Sequence, residues 1–433
     1  MGKFLIRAGL SVLALAVLAG LGFLAFAPAY FDNKMNPVIA HDPYAVSDEA
    51  KALHATIPVA DLHADSLLWN RNLLKRNDRG HVDLPRMREG GMFLQVLTAV
   101  TASPAGQNYT QNDADAPDRI RTLAIAQRWP RRTWDSRAER ALYQAKKLRS
   151  FEERTDEFAL VRSRADLHDA LIHALMIRHN ESRSTSRIAQ ASWGGLPGMA
   201  DRVGELFGPE ADTFLLHPRI RHAIILGIEG SHALDGDLAN IDRLYDAGYR
   251  LMGLHHFFDN KLGGSLHGTS GAGLSEFGRA AVAKMREKSI IIDVAHSSEA
   301  TVRDVLAMGA GPVIISHTGF NGHTRSPRNI SDALMAEIAA DGGLIGVGFW
   351  DDVIRDDSPA GIADAIIYGI ENFGVDHIAL GSDFDGTVYT RMDVSEMAAI
   401  TQALMDRGVP DDDIRKVMGG NTVRFFLENL PSE

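Results

Sequence analysis

SIIIDVAH, residues 289–296, and PVIISH, residues 312–317, decide the fold. Each is a short apolar, β-branched run that ends in histidine. Between them lies SEATVRDVLAMGAG, residues 298–311, an amphipathic stretch closed by glycine. An apolar run bounded by turn residues reads as a strand buried on both faces, and strand, helix and strand in succession read as a parallel crossover unit.

The same unit recurs in both directions. Before it stand IPVADLH from Ile57, MFLQVLTAV from Met92, AIILGIE from Ala223 and YRLMGLHH from Tyr249; after it come GLIGVGFW from Gly343 and HIALGSD from His377. Helical patterns fill the gaps, among them LSEFGRAAVAKMREK, where Ser275 is placed as an N-cap. Eight strands with crossovers predict an α/β chain folded as a (β/α)8 TIM barrel, with an open doubly wound sheet as the second choice. The connection between the second and third strands, Thr101 to His222, is far longer than the rest. ADLHDALIHALMIRHN within it has helical spacing, and ESRSTSRIAQASWGGLPG reads as an irregular loop, so a lid or rim over the barrel mouth is expected.

Three segments follow from composition. Residues 1–31 are expected to form a signal peptide or membrane anchor, residues 32–47 a polar linker, and residues 48–433 the barrel domain. In the leader, Lys3 and Arg7 precede an uncharged apolar run from Ala8 to Ala27. Spanning a bilayer takes roughly 20 apolar residues, and a signal core about 7–15, so length favours an anchor. Ala25-Phe26-Ala27 and Ala27-Pro28-Ala29 resemble cleavage sites, and both outcomes stay open. Either way the positive flank sends the rest of the chain to the periplasmic or other extracytoplasmic side, anchored or soluble.

The net charge of −11 argues against nucleic acid as a partner, because phosphate binding needs a broad basic field. The basic stretch from Arg128 to Arg149 reads as a solvated outer helix in preference to a membrane-surface contact. With no cysteine, any metal must sit on imidazole and carboxylate.

Those groups gather where barrel active sites are built, at the C-terminal ends of the strands. The first strand ends in His63-Ala64-Asp65, whose i and i+2 side chains point the same way in extended chain. The third ends in Glu229, the fifth in His296 and the sixth in His317. A carboxylate buried at a barrel mouth needs a cation or hydrogen-bond partner. Imidazole and carboxylate without thiolate suit Zn²⁺, or Mn²⁺ and Co²⁺ as substitutes, and five ligands exceed what one open catalytic zinc takes, so two metals fit the count. Asp383, ending the eighth strand, is the candidate general acid–base group, preferred over Asp385 in the turn. The pair His255-His256 could polarise a carbonyl. Arg328 could clamp a carboxylate in two-point geometry.

With these residues in place the sequence resembles the membrane dipeptidases, the renal dipeptidase-like branch of the amidohydrolase superfamily. The resemblance runs from about Val59 to Phe425 and rests on DLHAD, GHVDLPRMREGG, GIEGSHAL, YRLMGLHHFFDN, IIDVAHSS, ISHTG, RSPRNISD, GSDFDG and GGNTVRFF in order. It implies that His63, Asp65 and Glu229 hold one zinc, and that Glu229 bridges to a second on His296 and His317. It further implies that His256 donates to the developing oxyanion, Arg328 binds the dipeptide's terminal carboxylate, and Asp383 shuttles the proton. The expected reaction is dipeptide hydrolysis by a metal-bridged hydroxide, with D-residues accepted at the C-terminal position. Two zinc ions per subunit, a small dipeptide substrate, membrane contact through an uncleaved leader and a homodimer belong to that expectation. Two departures stand out: the segment 180–221 is longer than the family leads one to expect, and the adjacent histidines leave His255 in competition with His256. Lactone or ester hydrolysis at the same two-metal centre is the rival chemistry, and a non-catalytic metal or peptide binder the rival class.

Overall fold

Strand β1 (Val59–Ala64) pairs in parallel with β2 (Met92–Val100), and the sheet begun there returns to its own first edge. The computed structural model describes residues 2–181, 195–197 and 220–433. Within them follow β3 (Phe158–Leu160), β4 (His222–Glu229), β5 (Tyr249–Gly253), β6 (Ile291–Asp293), β7 (Ile314–Thr318), β8 (Leu344–Val347) and β9 (Ile378–Leu380). The order is β2-β1-β9-β8-β7-β6-β5-β4, and a β2–β4 pairing closes the ring. Eight parallel strands thus form the expected barrel, with helices between them.

One strand was not expected. β3 has three residues and pairs with His222–Ile224 at the base of β4, below the point where β5 takes over. A run that short carries no period of its own.

The sequence punctuation works locally as read. Ser275 accepts from the Gly278 N–H and Ser298 from the Thr301 N–H, each capping the helix that follows. The helix Glu276–Glu287 turns Ala281, Val282 and Met285 inward. Strands β7, β8 and β9 approach unusually closely at the Ser316 carbonyl. A Cβ added at Gly346 or Gly381 would stand 2.3 or 2.0 Å from that oxygen, so only glycine fits there.

The long connection holds three α-helices among its described residues, Arg119–Ala126, Arg137–Glu152 and Arg164–Glu181. The basic stretch is more than a solvated face. Arg140 lies inside, donating to the carbonyls of Thr101, Thr133 and Trp134 and pairing with Asp118. A guanidinium can be buried this way because its five donors meet fixed acceptors. The loop expected over residues 181–198 and the longer segment 180–221 lie almost wholly outside the described residues.

The leader is one helix, Gly2–Met35, running through Pro28. By length and composition Phe4–Met35 is able to cross a membrane. Its first turns stand free of the barrel, and its last turns do not. Residues 32–35, read from polarity as the start of a linker, continue the helix, and Asp32 is fully buried. The physical reason is pairing: Asp32 Oδ2 meets Arg71 Nε at 3.1 Å and Arg79 Nε at 3.0 Å.

Candidate metal centre

Glu229, the last residue of β4, is the hub of the mouth. Its Oε1 lies 3.2 Å from His296 Nε2, 3.3 Å from His317 Nε2 and 3.7 Å from His63 Nε2, and its Oε2 lies 3.3 Å from His256 Nε2. All these side chains are buried. His63 comes from β1 and His317 from β7, whereas His296 sits three residues beyond β6 with φ of 59°. A non-glycine residue held in that left-handed region is a form of strain that functional sites retain.

Asp65 reaches the cluster by a route extended geometry did not foresee. β1 ends at Ala64, and Asp65 is turned by its own N–H donating to Phe384 O at 2.8 Å. Its Oδ1 then lies 3.6 Å from His63 Nε2 and accepts from Thr98 Oγ1 at 2.6 Å. Asp383, also at φ of 59°, brings Oδ1 to 3.9 Å from His63 Nε2. Among the described residues three metal-sized groupings result: His63, Glu229 and His317; Glu229, His256 and His296; and His63, Asp65 and Asp383. The five expected ligands are therefore together, and His256 and Asp383 stand within the same reach.

The adjacent histidines part company. His256 faces Glu229, and its Nδ1 donates to Ala102 O at 2.8 Å, because a carbonyl can only accept. His255 turns away, with Nδ1 3.1 Å from Ser297 Oγ. Asp385 also turns away. It pairs with Arg71 Nη2 at 2.7 Å and accepts from the His81 N–H at 2.7 Å and Ser66 Oγ at 2.5 Å.

Electrostatics fit cations. Burial pushes Glu229 well above the usual carboxylate range, with Asp65 adding to it, and pushes Asp383 up to about 8. Burial holds His296 and His317 well below the usual imidazole value, in the neutral form that ligates metal. His63 goes the other way: burial opposes its charge, but Asp65, Glu229 and Asp383 outweigh that and raise it to about 10. Left to themselves these groups must share protons to remain buried, and His296 Nε2 stands only 3.0 Å from His317 Nε2. Divalent cations would satisfy the converging lone pairs and carboxylates together.

Sequence reasoning missed the residues behind the ligands. Ser316 Oγ contacts both His317 Nδ1 at 2.8 Å and His63 Nδ1 at 3.1 Å, and donates to Asp293 Oδ2 at 2.6 Å. Orienting a ligand's second nitrogen in this way fixes its ring and tautomer. The signal was available: Asp293 and Ser316 are polar residues inside apolar strands. Also missed were Tyr109 and Trp350, whose Nε1–H donates to Tyr109 Oη at 3.1 Å. They line a cleft of about 50 Å³ with Arg328, His256, Glu229 and Asp383. Arg328 is buried, donates from Nη2 to His317 O at 2.8 Å, and keeps an Nε without a hydrogen-bond partner among the described residues.

Comparison with known proteins follows the same residues. The dipeptidase ataJ of Aspergillus terreus is 31% identical over 248 residues, covering 50% of this chain and 60% of that protein. The dipeptidase verJ of Clonostachys rogersoniana is 32% identical over 234 residues, covering 52% of this chain and 60% of that one. The aligned regions thus span about 60% of the length of these curated relatives. A metallopeptidase from Rhodobacter sphaeroides, solved with a phosphinate mimic of the dipeptide L-Ala-D-Ala, shares the fold. It superposes with a TM-score of 0.61 at 23% identity, covering 86% of this chain and 99% of its own. The family model described as membrane dipeptidase, peptidase family M19, matches residues 47–178 and 211–430, passing over the segment whose length stood out in the sequence. Taken with the strand-end histidines and carboxylates, that match places the chain in the membrane dipeptidase family, M19.

Proposed function

We propose that this protein is a zinc-dependent dipeptidase of the cell envelope, cleaving dipeptides that include those with a D-residue at the C-terminal position. The observation that carries the reading is Glu229. One buried carboxylate within 3.7 Å of three imidazole nitrogens is the geometry of a ligand shared between two cations. His63, Asp65 and Glu229 would hold one ion, and Glu229, His296 and His317 the other. Two bound zinc ions supply an activated water and a polarised scissile carbonyl.

The chain's own groups account for the rest. Arg328 lines the cleft, with Nη2 donating to His317 O and a buried Nε without a hydrogen-bond partner among the described residues, which suits a terminal carboxylate held by two parallel hydrogen bonds. A longer peptide has no carboxylate at that distance from the ligands. Asp383 Oδ1, buried and pushed up to about 8, can take a proton from the attacking water and return it to the leaving amine nitrogen. His256 has its Nδ1 proton on Ala102 O, so it donates from Nε2 only as the imidazolium. Burial lowers it to about 4, and negative charge developing on the carbonyl oxygen beside it favours that form in the transition state alone. Membrane attachment through Gly2–Met35 and delivery to the extracytoplasmic side agree with Lys3 and Arg7 on the retained flank.

Metal analysis combined with a dipeptide library that includes D-residues tests the reading. Stoichiometric zinc with turnover confined to dipeptides is expected. Turnover of esters or lactones with no dipeptide cleaved would sink it.

A further inference from the structure

The end of the N-terminal helix forms a wall of a second cavity, and this cavity opens onto the metal centre. It measures about 400 Å³; Phe31 and Met35 line it from the N-terminal helix, Leu68 from the turn after β1, Ile120 from the long connection, and Asp65, Glu229 and His256 at its inner end. Most of its surface is apolar, with Ser103, Gln107, Asp118, Arg119, Thr122 and Thr387 among its other lining residues. The helix end is fastened to the loop that carries Asp383. Asn36 donates to Asp32 Oδ1 at 3.1 Å and accepts the Thr387 N–H at 3.0 Å, and Asp32 shares Arg71 with Asp385. Residues 27–36 precede the family match, which begins at residue 47, so this wall lies outside the matched part of the chain.

Polarity within the site orients a substrate. Arg328 lines the smaller cleft and does not line this cavity. A dipeptide with its carboxylate on Arg328 and its scissile carbonyl near Glu229 and His256 directs its amino-terminal residue past Asp65, into the apolar space. We propose that the cavity receives a bulky apolar side chain from the substrate's amino-terminal residue, with Phe31 and Met35 as specificity-determining residues contributed by the membrane-proximal helix. The proposal rests on the dipeptidase reading. Its chemical class is a dipeptide with leucine, phenylalanine or a similar group first.

Full-length enzyme carrying Phe31→Ser or Met35→Ser should be assayed on Leu-Gly and Gly-Gly, with zinc content measured alongside. The ratio of kcat/KM for Leu-Gly over Gly-Gly is expected to fall by about tenfold, the scale on which apolar pockets discriminate, while zinc is retained. Phe31→Trp, which keeps the apolar packing and fills the space, covers the case in which a serine variant fails to fold. It too should lower the ratio. Ratios unmoved in folded, zinc-loaded variants overturn the proposal and leave the dipeptidase reading standing. Variants that keep the ratio but relieve inhibition by alkyl detergents would give the cavity to a lipid chain and overturn it equally. A wild-type enzyme that cleaves neither dipeptide overturns the functional reading and this one with it.

Discussion

Asp383 and Asp385 stand two residues apart in one loop and face opposite surroundings: Asp383 Oδ1 lies 3.9 Å from His63 Nε2 in the metal centre, and Asp385 Oδ2 lies 2.7 Å from Arg71 Nη2 behind it. Burial pushes Asp383 up to about 8. Burial acts on Asp385 as well, but the Arg71 charge and the His81 and Ser66 contacts override it and hold that carboxyl well below the usual range. One carboxyl is pushed toward its protonated form and the other is held charged.

Asp383→Asn should therefore leave both metals bound and lower kcat by about 10²–10⁴-fold, the usual worth of a general acid–base group. Asp385→Asn should act on stability instead. It strands Arg71 without its full partner, at a cost of about 3–5 kcal/mol. Steady-state kinetics, metal analysis and urea unfolding of the two variants check the assignment. A crippled, stable Asp385→Asn beside an active Asp383→Asn would reverse it.

Replacing Arg328 by lysine exchanges a planar fork for a point charge at the carboxylate. KM for dipeptides should rise by about tenfold or more, for a loss of a charge-assisted bond of roughly 1.5–3 kcal/mol, with metal content kept. An unchanged KM would show that the residue serves only to hold the His317 carbonyl.

Chelation should abolish turnover, and Zn²⁺ should restore it, because every converging donor is imidazole or carboxylate. Glu229→Gln should lose metal at both positions together, since its Oε1 faces His63 on one side and His296 and His317 on the other. Activity surviving in protein shown by elemental analysis to be metal-free would refute the two-metal reading.

Two histidines remote from the centre make stability fall in acid. Burial lowers His54 and His222 to about 4, each held neutral against a backbone carbonyl, Gly90 O at 3.0 Å and Met92 O at 2.6 Å. The unfolded chain protonates near pH 6.5, so their contribution is complete above that value and is lost as pH falls toward 4. Each is worth up to about 3 kcal/mol over that interval. Urea unfolding with saturating zinc at pH 7 and pH 5 should show a smaller difference in His54→Asn than in the wild type. An equal difference would remove His54 from the account.

What the linear sequence determined is the barrel and the ring of imidazole and carboxylate groups at its mouth. Strands buried on both faces must be apolar throughout, so IIID and VIIS announce themselves, and a functional side chain at a strand's end follows its run directly, as His317 and Glu229 do. Local chemistry also sufficed for the caps at Ser275 and Ser298. Tertiary structure alone decided what depends on partners far away in the chain. β3 forms because the base of β4 offers an edge, although Phe158–Leu160 is too short to show a period. His256 enters the centre because Ala102 holds its Nδ1, while Ser297 draws His255 aside. Asp32 reads as the first polar residue after an apolar leader, and nothing near it in sequence says otherwise. It is buried because Arg71, bound on its other side to Asp385, needs a second carboxylate. Only folding brings residues 32, 71 and 385 within reach of one another. A buried charge is tolerable only with such partners, and the distance along the chain at which they lie leaves no local pattern to read.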